Sequence, residues 1–338
     1  MNVGVCVGDL THPLRHTRTG CDATIINTHS PTHRTDSRTR EQVIALIVNP
    51  FAGRGRAQAR AIEAERALRG VGDVRRYETV SAGDERRCAR QAVADGARVV
   101  VVVGGDGSVH HAARGLLDTA TVGAPEIPLA VIAAGTGNDL VKSLRTPSHD
   151  ITAMTARIAA GVTRVVDVGV IDGVPFVNAA GLGFDVEVLE RMPRVAWLRG
   201  TAAYVITALR ALLDYPGYAA SWMRCDGRRS VPRHLLTVFA NGGTFGGTFR
   251  IAPRAHLDDG LLDLVDITAL SPRARLWVFF KAIRGTHLTH PSVTHERGHA
   301  WTVTSEHPLA FEADGERYEA RGVTLDVNVR PGALRVIA

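Results

Sequence analysis

A chain of 338 residues with 45% hydrophobic and 22% charged residues has the balance of a globular protein and length for two domains. The net charge of +6 suits a weakly basic face toward phosphate or anionic lipid, but not a dedicated nucleic-acid binder, so no nucleic-acid partner is expected. No apolar run reaches the about 18 residues that span a bilayer, and Cys6, Cys21, Cys88 and Cys225 form no C-x-x-C pair, which argues for a reducing, cytoplasmic setting without disulfides or zinc.

Residues 1–40 hold His12, His16, His29, His33 and five arginines without an apolar period, and read as a flexible basic arm. Val43–Val48 reads as a buried strand ending at Asn49-Pro50-Phe51-Ala52-Gly53, with an alanine-rich helix over about 57–68. A strand at Val74–Thr79 precedes a helix that opens near Ser81 and Asp84. Val99–Val103 follows, five consecutive β-branched residues suited to burial on both faces of a parallel sheet.

That run stops at Gly104-Gly105-Asp106-Gly107-Ser108, and a helix over Val109–Leu117 begins. Strand, tight glycine turn and helix start together aim backbone N–H groups at an anion such as phosphate. Asp106 would repel phosphate without a divalent cation between them, so the turn suggests metal–nucleotide chemistry. A fourth strand, Leu129–Ala133, ends at Ala134-Gly135-Thr136-Gly137-Asn138-Asp139, with a helix to about Leu144. Strands alternating with helices predict a doubly wound parallel sheet over 41–160, whose three glycine-rich turns converge outside the carboxyl ends of the strands.

After a helix at Ile151–Ala160 the texture changes, with a domain boundary expected near 145–165. Short segments at Val165–Val170, Val174–Ala179, Trp222–Cys225, Leu235–Ala240, Leu262–Val265, Trp301–Thr304, Leu309–Glu312 and Thr324–Val329 predict a mostly antiparallel β domain over 161–338. Its last residues are free to return to the first domain. Helices are expected at about 195–213 and 273–284; the apolar stripe of the first packs on the sheet or lines a lipid entrance.

Familiar nucleotide patterns fail. No G-x-G-x-x-G follows a strand, and Val141 stands where a P-loop requires glycine before Lys142-Ser143. His295-Glu296-Arg297-Gly298-His299 satisfies H-E-x-x-H, but Gly298, Pro291 and the following strand deny it a helix. On an extended chain its histidines stand about 13 Å apart, at roughly 3.3 Å per residue, too far for one metal.

Asn49-Pro50-x-x-Gly53, Gly104–Ser108 and Gly135–Asp139, in this order and spacing, resemble the diacylglycerol kinase catalytic family, which includes bacterial lipid kinases and sphingosine and ceramide kinases. The resemblance continues through Asn178-x-x-Gly181-x-Gly183-Phe184-Asp185, Asn241-Gly242, Gly246-Gly247, Ala252-Pro253, Asp258-Asp259-Gly260-Leu261 and Asp314-Gly315-Glu316, covering all but the arm.

It implies an α/β nucleotide domain and a C-terminal antiparallel β-sandwich domain, with ATP in the cleft between them. Asn49, Pro50, Gly53, Thr79, Gly104, Gly105, Asp106, Gly107, Ser108 and Thr136 resemble the nucleotide-binding residues, with Asn138 and Asp139 in the same turn. Asp106 would hold Mg²⁺ near the phosphates; Asp259, with backbone oxygens of His256 and Leu261, resembles a second, structural Mg²⁺ site. Asp314 and Glu316 occupy the Asp-Gly-Glu motif that supplies the proton acceptor for a lipid hydroxyl. Ser108 replaces a usual threonine, and His110-His111 stand where a polar residue and a glutamate are common.

The expectation is therefore an ATP- and Mg²⁺-dependent lipid kinase, with diacylglycerol as acceptor, working in the cytoplasm in peripheral contact with the membrane's inner face. A homodimer stays open. The alternatives are a sphingoid-base or ceramide kinase and a nucleotide-binding regulator without catalysis. NAD kinase, which shares a Gly-Gly-Asp-Gly turn, is disfavoured by the Asn-Pro turn and the Asp-Asp-Gly-Leu segment.

Overall fold

The computed structural model describes residues 42–338 except 121, 122, 124, 193–199, 225, 226 and 228–232. The arm expected over 1–40, the start of the helix expected at 195 and Cys225 lie outside the described residues. Strands β1 (Val43–Val48), β2 (Asp73–Glu78), β3 (Val99–Gly104) and β4 (Leu129–Ala133) pair in parallel in the order β2-β1-β3-β4. The valine run shows why this layer is stable. Val99, Val101 and Val103 point to one face of the sheet, Val100 and Val102 to the other, and all are fully buried.

Helices α1 (Arg56–Leu68) and α5 (Ile151–Ala160) cover the first face, with Ala57, Ala61, Ala64 and Leu68 forming the buried stripe of α1. Helices α2 (Glu85–Ala94) and α3 (Asp106–Leu117) cover the second. A short helix, α4 (Asp139–Leu144), leaves the β4 turn.

The C-terminal half is a sandwich. One sheet runs β12 (Val293–Gly298), β11 (Leu262–Thr268), β10 (Arg233–Ala240), β7 (Ala179–Gly183), β14 (Ala310–Ala313), β15 (Glu316–Glu319), with β8 (Tyr218–Ala219) beside β10. The other contains β5 (Thr163–Ile171), β6 (Val174–Phe176), β9 (Ser221–Arg224), β13 (Ala300–Thr304) and β16 (Thr324–Ile337). Phe176, Phe239, Trp301 and Phe311 fill the layer between them. Helices α6 (Phe184–Arg191), α7 (Gly200–Asp214) and α8 (Pro272–Arg284) cover the outer face of the first sheet.

Several elements depart from expectation. The strand expected at Val174–Ala179 is two strands, because the N–H groups of Val177, Asn178 and Ala179 are donated to the Asp314 carboxylate instead of a ladder. Helix α6 is an addition to the expected elements; Phe184 and Val188, one turn apart, anchor it to the sheet. His295 lies within β12 and bonds Asp263, whereas His299 bonds the Gly260 carbonyl, so the H-E-x-x-H residues are extended and separately engaged.

The strand expected at Thr324–Val329 continues to Ile337 through a bulge between Arg330 and Leu334, and Val336 pairs with Leu129 of β4. The chain end therefore stitches the sandwich to the parallel sheet. Asp167 of β5 makes the bulge tenable. Its buried carboxylate accepts the Gly332 N–H at 2.7 Å and the Gly260 N–H at 2.6 Å, and its own N–H donates to the Leu257 carbonyl.

Asp167→Asn leaves one acceptor and turns an NH₂ group toward a backbone donor. It should lower unfolding free energy in urea by about 2–4 kcal/mol, the range for losing a buried charge-assisted hydrogen bond and orphaning its donor. An unchanged urea midpoint would show that the bulge holds without this carboxylate.

Candidate active site

The glycine turns after β1, β3 and β4 meet at one edge of the parallel sheet, where Gly105 and Gly135 touch backbone to backbone. A Cβ on Gly135 would lie 2.4 Å from Gly105 Cα, so no larger residue fits. Asp106 opens α3 beneath this contact, its carboxylate accepting the N–H groups of Asn138 and Asp139, each at 2.7 Å. Asn138 is left-handed (φ 53°) and donates its side-chain N–H to the Gly135 carbonyl. Thr136 is exposed at the tip, whereas Ser108 is buried beside Gly104.

On the neighbouring strand ends, Asn49 accepts the Phe51 N–H around Pro50 and donates to Glu85 at 2.9 Å. Gly53 lies in the short helical turn Ala52–Gly55 before α1, and Thr79 is buried just past β2. Phe51 and Val80 stand 78% and 81% exposed at the mouths of β1 and β2. Of the expected nucleotide residues, the structure thus gathers the β3 and β4 turns tightly, with Asn49, Pro50, Gly53 and Thr79 on the adjacent strand ends.

Burial, then the neighbouring Asp139 charge, pushes the Asp106 carboxyl up to about 6. Burial raises Asp139 as well; its Oδ2 accepts the Gly247 N–H at 2.8 Å, while the buried Oδ1 has no hydrogen bond and lies 3.5 Å from Lys142 Nζ. The two adjacent acids offer carboxylate oxygens of the kind a divalent cation takes, although among the described residues no group of three acids, histidines or cysteines is gathered for one.

The Asp314-Gly315-Glu316 turn comes to the same place from the sandwich. Asp314, left-handed at φ 51°, accepts the N–H groups of Val177, Asn178 and Ala179. Its Oδ2 also meets His110 Nδ1 at 2.9 Å. A carboxylate only accepts, so His110 donates from Nδ1 and accepts the Tyr318 O–H at Nε2, 2.7 Å away. Arg114 in turn donates to the Tyr318 oxygen at 2.7 Å.

Glu316 differs from Asp314. Its Oε1 rests against Gly107, where a Cβ would approach to 2.4 Å, and its Oε2 lies 3.9 Å from His111 Nε2. The His111 ring holds the Glu316 carboxyl below its ordinary range against the opposing effect of burial. The side chain is 43% exposed to the cleft. The two histidines that break the family pattern thus brace the two acids of the turn. No sequence signal pointed to the His110–Tyr318–Arg114 chain or to Glu85.

A further acidic pair lies behind the turn. Glu312 accepts the Gly315 N–H at 2.7 Å, and its other oxygen faces Asp185 with neither atom hydrogen-bonded. The two oxygens lie 3.3 and 1.6 Å from where a Cβ on Gly181 would stand, so they are within about 5 Å of each other. Burial raises both acids, and Glu312 is raised further by the Asp185 charge. Asp185 also lines an apolar cavity of about 50 Å³ walled by Phe184, Leu212, Phe245, Phe249 and Phe279.

The expected second cation site is satisfied differently. Asp259 bonds the Arg297 guanidinium and the Leu261 N–H, and Arg297 also lies 3.6 Å from Asp263. An arginine thus supplies positive charge beside Asp259, where the resemblance implied a cation with backbone oxygens of His256 and Leu261.

Residues 43–171 match the family described as diacylglycerol kinase catalytic domain, and residues 178–338 the YegS C-terminal NAD kinase beta sandwich-like domain. The chain is 33% identical over 303 residues to a diacylglycerol kinase of Mycobacterium tuberculosis, covering 87% of this chain and 94% of that one. It is 25% identical to a diacylglycerol kinase of Bacillus subtilis over 80% of this chain and 88% of that one. A solved diacylglycerol kinase structure from Bacillus anthracis shares the fold at a TM-score of 0.67 and 21% identity, over 89% of this chain and 98% of that one.

The Asp185–Glu312 pair makes stability depend on pH. The unfolded chain releases its carboxyl protons in the ordinary range, whereas the folded pair keeps one to higher pH. Folding is therefore favoured by acid, and stability is lost as pH rises through the raised range. Asp185→Asn, which can donate to Glu312, should raise the melting temperature at pH 8 by about 2–6 °C, with the gain vanishing toward pH 4. A gain independent of pH would show that the pair does not share a proton.

Proposed function

Because the chain belongs to the diacylglycerol kinase catalytic-domain family, we propose that it transfers the γ-phosphoryl group of ATP to the hydroxyl of a membrane lipid, most simply diacylglycerol, giving phosphatidic acid. The contact between Gly107 and Glu316 carries this reading. It sets a phosphate-type turn against an ionised, cleft-facing carboxylate from the other half of the molecule.

The backbone N–H groups at the start of α3 and the exposed Thr136 suit the phosphates. Phe51 and Val80 offer apolar surface for a purine. Asp106 and Asp139 would hold Mg²⁺, which neutralises phosphate charge when bound. Glu316, kept ionised by His111, accepts the proton of the attacking hydroxyl, and the cleft orients that hydroxyl toward the phosphate. Asp314 positions the turn and carries no proton in the reaction, since four donors already occupy it.

The apolar lining beside Asp185 has the chemistry of an acyl-chain contact, which water-soluble acceptors do not need. Among the described residues no helix is long and apolar enough to cross a membrane; a lipid acceptor would be met at the bilayer surface.

Purified protein with ATP and Mg²⁺ should phosphorylate diacylglycerol in a panel that includes ceramide, sphingosine and NAD. Phosphate on NAD alone would overturn the lipid reading; transfer to sphingosine or ceramide alone would change the acceptor assigned. Glu316→Gln should lower turnover at least about 100-fold, the order expected for a lost general base, with an unchanged melting temperature. His111→Gln should move the acid limb of kcat to higher pH at saturating ATP and Mg²⁺, because Glu316 then loses the neighbour that holds its carboxyl down. An unmoved limb would separate His111 from the base.

A further inference from the structure

Helix α8 has two apolar faces where a surface helix normally has one. Its inner face, with Val278, Phe279 and Ala282, lines the apolar cavity beside Asp185. Its outer face carries Arg273, Trp277, Phe280 and Arg284, at spacings of four, three and four that place them on one stripe. Trp277 is 42% and Phe280 53% exposed; Leu213, at the end of α7, is 62% exposed. Arg275 fixes that neighbourhood by donating to the carbonyls of Leu212 and Tyr215.

The charge of α8 and its flanks has one sign, and Asp214, at the neighbouring end of α7, is paired with Arg191. Residues 267–295 contain no Asp or Glu, against four Arg and Lys. Among the described residues Arg273, Lys281 and Arg284 have no acidic partner, and Lys281 sits over the Trp277 ring at 5.2 Å. Aromatic side chains interleaved with unpaired cations match the boundary between lipid headgroups and acyl chains. A second copy of this chain is a poor occupant, since a two-fold contact would set these cations against themselves.

We infer that the outer face of α8 docks this protein on an anionic bilayer, Trp277 and Phe280 entering the headgroup layer while Arg273, Lys281 and Arg284 pair with lipid phosphates. The inference rests on the lipid-kinase reading for its purpose: α8 is also a wall of the cavity, so docking brings that cavity to the substrate's own medium. Binding itself requires neither ATP nor turnover.

The test is co-sedimentation of the full chain, without ATP, with phosphatidylcholine vesicles alone or mixed with phosphatidylglycerol. Wild type should bind the mixed vesicles and bind the neutral ones weakly. Trp277→Ala/Phe280→Ala and, separately, Arg273→Gln/Lys281→Gln/Arg284→Gln should each weaken mixed-vesicle binding at least about 10-fold. Both alter exposed positions, and kcat on a short-chain diacylglycerol dispersed as monomers should stay at the wild-type value. Wild-type vesicle affinity in both variants would overturn the inference, as would a dimer in sedimentation equilibrium that the aromatic double variant dissociates. Loss of vesicle binding in the variants, from a wild type that phosphorylates no lipid, would uphold the docking face and refute the kinase reading.

Discussion

The Asp314 carboxylate is the joint on which the two halves of the molecule depend. Three consecutive N–H groups between β6 and β7 would be orphaned inside the sandwich without it, each at a cost of about 1–3 kcal/mol. The same carboxylate reaches the nucleotide half through His110, which Tyr318 and Arg114 hold in turn. The left-handed backbone at Asp314 is a local strain that this network over-determines. The next two residues of the chain, Gly315 and Glu316, are thereby delivered to the edge of the parallel sheet.

Around that joint the protein concentrates acids. Asp106, Asp139, Asp185 and Glu312 are buried, and each is pushed up by loss of solvent. Two different solutions keep this tolerable. The inner pair, Asp185 and Glu312, is relieved by retaining a proton. The outer pair, Asp106 and Asp139, instead keeps backbone donors and one unsatisfied oxygen toward the phosphate turns. A proton relieves the first pair below the raised range, whereas on the proposed function a cation bound with the nucleotide would relieve the second. Loading the cleft should then be coupled to stabilising it.

The parallel half was legible because its signals are local. A valine strand, a glycine turn and a helix start lie within twenty residues, so Asp106, Thr136 and Asn138 could be placed on one edge from spacing alone. The sandwich was less legible for the opposite reason. The break between β6 and β7 is caused by Asp314, more than 130 residues away, and α3 meets Asp314 across 204 residues. The bulge in β16 looked like the end of a strand because Pro331-Gly332 is a turn dipeptide, and only Asp167 on another strand shows otherwise. His110 and His111 read as losses against the family pattern, yet their partners became visible only once the halves were brought together.

That reversal supports, for the proposed reaction, one of the two acids of the Asp-Gly-Glu turn over the other. A proton acceptor needs a lone pair directed at substrate, and Asp314 has none to spare: protonating it would break contacts to β6, β7 and α3 at once. Glu316 has the complementary properties, being exposed to the cleft, pressed against the glycine turn by Oε1 and held ionised by His111. As the proposed base, a glutamate kept low in this way is weaker than a free one. Its strength then has to come from geometry, in the alignment of the hydroxyl with the phosphate while the proton leaves. The rigidity of Asp314 and the readiness of Glu316 are thus complementary parts of one turn, the first immobilised so that the second can act where the halves meet.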